Sequence, residues 1–348
     1  MITGDSRAPG LIMRNTPGMM TEASRARLNN FDLLRFVLAA TVVLFHAAVL
    51  SGSEPLRAAL SFANGHYAVL GFFAISGYVV SLSWQRIHAV PEFFLRRARR
   101  VLPGYLAVVL FCWCAGCAVS RLPLLDYWAS GETWRYLLAN LSFLQFLAPT
   151  LPGVFQSNPV MAAVNGSLWS IRAEIFCYLL MPLLAVSWRP AGLILCCLAA
   201  ALCLAQWEAK PLWLTQTKIG IVDPIACFAF GVLMTQANAR SVAWWGGAGI
   251  AVLASLSSFP LLSLLEPFAV AAAVLAAGLS APYLGHWPAL GNLSYGMYLW
   301  HFPLIQWLGS GGWASRSPWL FLMAAAAGTL ALAALSWHLV EKRFLART

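Results

Sequence analysis

"RFVLAATVVLFH", from Arg35 to His46, sets ten uncharged residues between an arginine and a histidine. Its flanks extend the apolar run from Phe31 to Leu50, long enough to cross a bilayer, which takes about 20 residues as a helix. Ionisable side chains inside such a run are costly and need partners. Eleven helical steps of about 100° return to within ~20° of the start, so Arg35 and His46 share a face, roughly 16 Å apart along the axis. Asp32, Ala39 and Val42 lie on the same stripe. At that separation the two do not pair. Taken alone, Arg35 reads first as a side chain snorkelling to the interface. His46 reads as a hydrogen-bonded core histidine or as a general base, because a neutral imidazole can take a proton near neutral pH.

The rest of the chain has the same character. Of its 348 residues, 60% are hydrophobic and 10% charged, where a soluble domain is about a quarter charged; its solvent is largely lipid. Ten runs qualify as spans: 31–50, 67–86, 101–120, 168–187, 191–207, 219–236, 242–258, 261–280, 289–308 and 317–340. The apolar stretch 134–149 is short and holds Asn140 and Gln145, which suits a re-entrant or interfacial segment. A net charge of +10 brings nucleic acid to mind until the basic residues are located. They sit in short loops, where they set orientation. With the N-terminus inside, Arg25, Arg27, the cluster Arg86 to Arg100, Arg189, Arg240, Lys342, Arg343 and Arg347 all fall on the cytoplasmic side. Counting 134–149 as a span would move the last three outside. The expected fold is all-α: a polytopic membrane helix bundle of about ten transmembrane helices with both termini cytoplasmic. Residues 1–29, polar and without an apolar h-region, read as a disordered cytoplasmic tail. Residues 30–346 form one membrane domain with no appended soluble domain. Arginine in excess over lysine and abundant alanine point to a GC-rich bacterium, hence the bacterial cytoplasmic (inner) membrane as location.

Eight cysteines raise the question of disulfides or metal. No C-x-x-C is matched by a second or by nearby histidines, so they read as small buried fillers, and no metal is expected. Four other stretches carry polar groups that lipid should exclude. In "FFAISGYVVSL", 72–82, Ser76 and Gly77 permit close helix approach or a break in the helix. In "FFLRRARRVLPGY", 93–105, Arg97 and Arg100 are three apart and point the same way; a forked pair suits phosphate, with topology anchoring and anionic lipid as competing uses. In "NGSLWSIRAEIFCYLLMP", 165–182, Trp169 suits the interfacial belt and Glu174 needs a partner. Arg172, two residues away, points elsewhere. By depth, Glu174 and His46 are expected to meet across helices. In "LGNLSYGMYLWHFPLI", 290–305, Pro303 frees a backbone carbonyl beside His301, and Asn292, Ser294, Tyr295 and Tyr298 read as a structural polar network.

Together these stretches, with the closing "SWHLVEKRF", resemble the acyltransferase family three of integral membrane O-acyltransferases. The elements occur in the family's order and span nearly the whole chain beyond the tail. The resemblance implies transfer of an acyl group, usually acetyl, from acyl-CoA (acetyl-CoA) to a hydroxyl of an acceptor. The acceptor is expected to be a surface polysaccharide such as exopolysaccharide or lipopolysaccharide, or a lipid-linked saccharide, with membrane lipids as surroundings and no nucleic-acid partner. It implies that His46 is catalytic, either as the base for direct attack by the acceptor hydroxyl or as the covalent carrier of the acyl group, that Arg35, Arg97 and Arg100 handle the CoA end, and that Glu174 is a catalytic-site residue able to orient or protonate His46. Ser76, Tyr78, Trp169, Tyr298 and His301 are expected to support the site. Two departures bear on the acceptor pocket: Ile175 stands where many relatives have a second acid, and Arg172 where a smaller residue is usual. The main rival reading is a transporter or flippase for a lipid-linked sugar, which shares the spans and the intramembrane histidine but does not account for a cytoplasmic arginine pair spaced for phosphates.

Overall fold

The computed structural model describes residues 29–87, 89–159, 163–184, 221–256 and 265–345. Among them every regular element is helical. The long helices are α1 (Phe31–Leu50), α2 (Gly65–Arg86), α3 (Val90–Val119), α4 (Gly131–Leu141), α5 (Trp169–Leu184), α6 (Val222–Met234), α7 (Ala239–Ser255), α8 (Glu266–Leu279), α9 (Pro288–Ser310) and α10 (Pro318–Ser336). Side-chain oxygens cap several starts, where the first backbone N–H groups lack partners. Asn64 accepts from the Tyr67 N–H at 3.0 Å, and Asn238 from the Ser241 N–H at 2.8 Å.

Among the described residues four helices are long and apolar enough to cross a membrane: Phe31–Leu50, Gly65–Arg86, Val90–Val119 and Pro318–Leu345. The protein is a membrane protein. The expected span 191–207 lies outside the described residues, as do parts of 168–187, 219–236, 242–258 and 261–280. Each of the nine remaining stretches overlaps a helix, but Val222–Met234 and Glu266–Leu279 have only 13 and 14 residues, and two others move a boundary. α3 begins at Val90, so the arginine cluster is helical rather than a loop. The last helix runs through a π-helical turn, Trp337–Glu341, to Leu345. α9 has the length to cross but is a polar helix, carrying Asn292, Ser294, Tyr295, Tyr298 and His301. Residues 134–149 form no span. α4 has 11 residues, about half of what a crossing needs, and the chain then turns through Phe143 at φ 58°. The segment docks on α3, with the Tyr105 hydroxyl donating to the Asn140 carbonyl at 2.7 Å.

α1 packs on α2 and α9, α2 on α6, α8 on α2 and α7, and α9 on α10. Small residues decide how close these helices come. A Cβ on Gly77 would lie 2.0 Å from the Phe228 carbonyl oxygen, and one on Gly231 would lie 2.3 Å from that of Ala74. Glycine is therefore required on both sides of the α2–α6 crossing. α2 runs unbroken through Ser76 and Gly77, so of the two uses the sequence leaves open, close approach is the one realised. Asn30 ties the start of α1 to the end of α8. Its N–H donates to Gly278 at 2.9 Å, and its side chain bridges the Pro282 carbonyl and the Leu284 N–H. Cys112, Cys177 and Cys227 are buried fillers as expected, but Cys114 faces outward. Cys196, Cys197 and Cys203 fall outside the described residues.

Candidate active site

A cavity of about 390 Å³ opens between α1, α2, α3, α5 and α9. One end is walled by arginines. Arg35 reaches it from α1, and Arg97 and Arg100 from one face of α3. Arg97 lies over the rings of Phe93 and Tyr178, 5.9 and 6.0 Å from their centroids, and Arg100 lies over Tyr295 at 5.7 Å and Trp337 at 6.0 Å. Aromatic faces hold a guanidinium without neutralising it. Arg97 also donates to the Ser83 hydroxyl at 3.3 Å, while its Nε is buried with no partner. Ion pairs among the described residues include Arg57–Glu54, Arg96–Glu92 and His66–Asp223, and Arg35, Arg97 and Arg100 join none of these. Glu174 lines the same cavity and accepts a hydrogen bond from the Tyr178 hydroxyl, within electrostatic reach of all three arginines.

Ser170 and Tyr298 also line the cavity. The Tyr298 hydroxyl donates to the Ser167 carbonyl at 3.0 Å and lies 2.7 Å from the Ser170 hydroxyl. One turn further along α9, Nε2 of His301 lies 3.1 Å from Nδ1 of His46. In each ring Nδ1 also faces a carbonyl of its own helix: Val42 at 3.0 Å for His46 and Met297 at 3.1 Å for His301. A carbonyl only accepts, so both Nδ1 atoms carry hydrogen. His301 Nε2 is then an acceptor for the His46 Nδ1–H, and the lone pair of His46 Nε2 is left over. His301 is fully buried. Phe45 and Phe302 pack against the His46 ring with centroids at 5.2 and 5.1 Å, and Phe302 fits into the space that a Cβ on Gly166 would fill. The break that Pro303 makes in α9 is satisfied from outside the helix. The carbonyl of Leu299, four residues before it, accepts from the Asn165 side-chain amide at 2.9 Å.

Arg35, Arg97, Arg100, Glu174, Ser76 and Tyr298 thus share one cavity. His46 and His301 form a separate pair outside its lining. Tyr78 packs on Phe31 at 5.5 Å, and neither it nor Trp169 lines the cavity. The expected meeting of Glu174 with His46 is not made: Glu174 is held by Tyr178 in the arginine layer, and His301 fills the place beside His46. Arg172 stacks on Phe146 at 4.7 Å, away from the cavity lining. Three cavity residues, Ser294, Tyr295 and Tyr298, were read from the sequence as structural network, Tyr298 also as support for the site. They do both jobs, since Tyr295 also ties α9 to α3 by donating to the Val101 carbonyl at 2.7 Å. Among the described residues no cluster of three His, Cys, Asp or Glu could hold a metal ion.

A family model described as "acyltransferase domain" matches residues 28–338, and the chain belongs to that family, the acyltransferase family three. It is an enzyme of acyl transfer. Among its relatives, nodulation protein 10 of Rhizobium leguminosarum bv. viciae is 28% identical, covering 93% of this chain and 95% of its own. An O-acetyl transferase of Shigella phage Sf6 is 27% identical, covering 92% and 97%. The exopolysaccharide production protein ExoZ of Rhizobium meliloti is 28% identical, covering 88% and 95%. No solved structure matches.

Proposed function

We propose that this protein transfers an acyl group, acetyl in the simplest case, from acyl-CoA to a hydroxyl of a surface polysaccharide or a lipid-linked saccharide. It works in the cytoplasmic membrane of a bacterium, crossing it about ten times with both ends in the cytoplasm. The observation that carries the reading is the cavity wall. Three guanidiniums there form no salt bridge with a carboxylate among the described residues. Tyr298, which lines the same cavity, lies one turn of α9 from His301 and its partner His46, an imidazole with a spare lone pair. Guanidiniums in that state suit a ligand with several phosphates. The names of two relatives, an O-acetyl transferase and an exopolysaccharide production protein, support a saccharide hydroxyl as acceptor.

Arg35, Arg97 and Arg100 bind the phosphates, and the pantetheine arm follows the cavity toward Tyr298. His46 Nε2 takes the proton of the acceptor hydroxyl as its oxygen bonds to the thioester carbonyl carbon. The C–S bond then breaks, and the imidazolium returns the proton to the leaving thiolate. In the imidazolium both nitrogens donate, and Nδ1–H already points at His301 Nε2, which stabilises the charge as the carboxylate does in hydrolytic triads. Glu174 balances part of the arginine charge and keeps Tyr178 in place.

Membranes incubated with acetyl-CoA labelled in the acetyl group test this. Label should pass to a hydroxyl-bearing acceptor with the wild type and not with His46→Ala. Absence of transfer by active wild-type membranes would leave the sugar transporter as the better reading.

A further inference from the structure

The closing motif of the sequence, "SWHLVEKRF", contains a buried acid that the mechanism above does not use. Glu341 is 1% exposed. Its Oε1 accepts from the Ser336 hydroxyl at 2.8 Å, and its Oε2 is buried with no hydrogen-bond partner. A carboxyl group in that state either takes up a proton or has a cation nearby.

The backbone is arranged to put it there. Residues 337–341 form a π-helical turn. In an α-helix, residues five apart point about 140° away from one another; the wider π turn brings them to nearly the same side. Ser336 and Glu341 can meet only because of it. The first residue of the turn, Trp337, lies over the guanidinium of Arg100. The last, Glu341, comes up against α3 at Gly104. A Cβ on Gly104 would lie 3.4 Å from the Glu341 carboxyl carbon and 2.9 Å from the Tyr295 ring, and that ring lies on Arg100 from its other contact. Arg100 is the cation within electrostatic reach of Glu341.

We infer that Glu341 is a positioning residue for Arg100: a fixed negative charge behind the cavity wall that holds the guanidinium toward the ligand's phosphates. The π turn delivers the charge and the Trp337 ring together. Glu341 itself touches no reacting atom. The inference rests on the proposed acyl-CoA reading of the cavity.

Glu341→Gln tests it, since glutamine keeps the shape and can still accept from Ser336 but carries no charge. In membranes, with labelled acetyl-CoA, its KM for acyl-CoA should rise about fivefold with kcat within about twofold of wild type. Added to Arg100→Ala, it should change KM little further, because the two act through one another. Ser336→Ala, which frees the carboxylate from its anchor, should raise KM about twofold. An unchanged or lower KM in Glu341→Gln overturns the inference, the lower value meaning that the acid merely repels the ligand. If Glu341→Gln does not accumulate, Ser336→Ala decides alone, and an unchanged KM there overturns it. Failure of the wild type to use acetyl-CoA would instead count against the reading of the cavity.

Discussion

At the arginine end of the site, Arg97 and Arg100 lie on aromatic rings and Arg35 lines the same open cavity, with the Arg97 Nε left without a partner. At the histidine end, roughly 16 Å along α1 by helical rise, three of the four ring nitrogens already have partners and phenylalanine rings fill the surroundings. The first region is completed by what it binds. The second is set before anything arrives. Charge that awaits a ligand governs affinity, and hydrogen bonds made in advance govern the reacting step, so substitutions in the two regions should separate in KM and kcat.

The largest effect belongs to the spare lone pair. His46→Ala should lower kcat on the order of 10²- to 10⁴-fold, with the amount of folded protein in membranes unchanged; near-normal turnover by that variant would remove the histidine from the chemistry. His301→Ala should lower kcat on the order of tenfold to a hundredfold and leave KM for acyl-CoA alone. A rise in KM without a change in kcat would break the comparison, making the pair a binding element. Replacing Arg97 and Arg100 together with alanine should raise KM roughly tenfold or more, since charge-assisted hydrogen bonds contribute about 1.5–3 kcal/mol each. An unchanged KM would reduce the arginines to topology anchors.

The smallest effect sharpens the claim that the histidine end is set in advance. Asn165→Ala strands the Leu299 carbonyl and should cost about 1–3 kcal/mol of stability, read as a fall in thermal midpoint. In a Pro303→Ala background the helix can supply its own N–H to that carbonyl, and the same substitution should then cost less. Equal losses in both backgrounds would mean that Asn165 does not answer the proline break.

Much of this was legible in the sequence. The bounds of α1 follow from the apolar run alone. The Arg97–Arg100 spacing predicts a shared face, and both line the cavity. The carbonyl freed by Pro303 was expected, though Asn165, 134 residues earlier in the chain and on a loop, is not a partner that spacing could name. Glu174 misled for a related reason. A count along the sequence puts it at the depth of His46, but the structure places it in the arginine layer, where Tyr178 four residues on takes its carboxylate. Glu341 was hidden inside a recognised motif because an α-helical reading puts Ser336 on the wrong side for it.

What the sequence by itself determined is what depends on local geometry: helix rather than strand, the bounds of α1, and the placing of Arg35 and His46 on one stripe. Each follows from a rotation of about 100° per residue. What only the tertiary structure decided is who meets whom. His301 rather than Glu174 stands beside His46, and Glu341 stands behind Arg100, because contacts between helices depend on how closely their surfaces fit. That fit is set by small residues such as Gly77, Gly104 and Gly166, whose missing side chains are filled by distant parts of the chain.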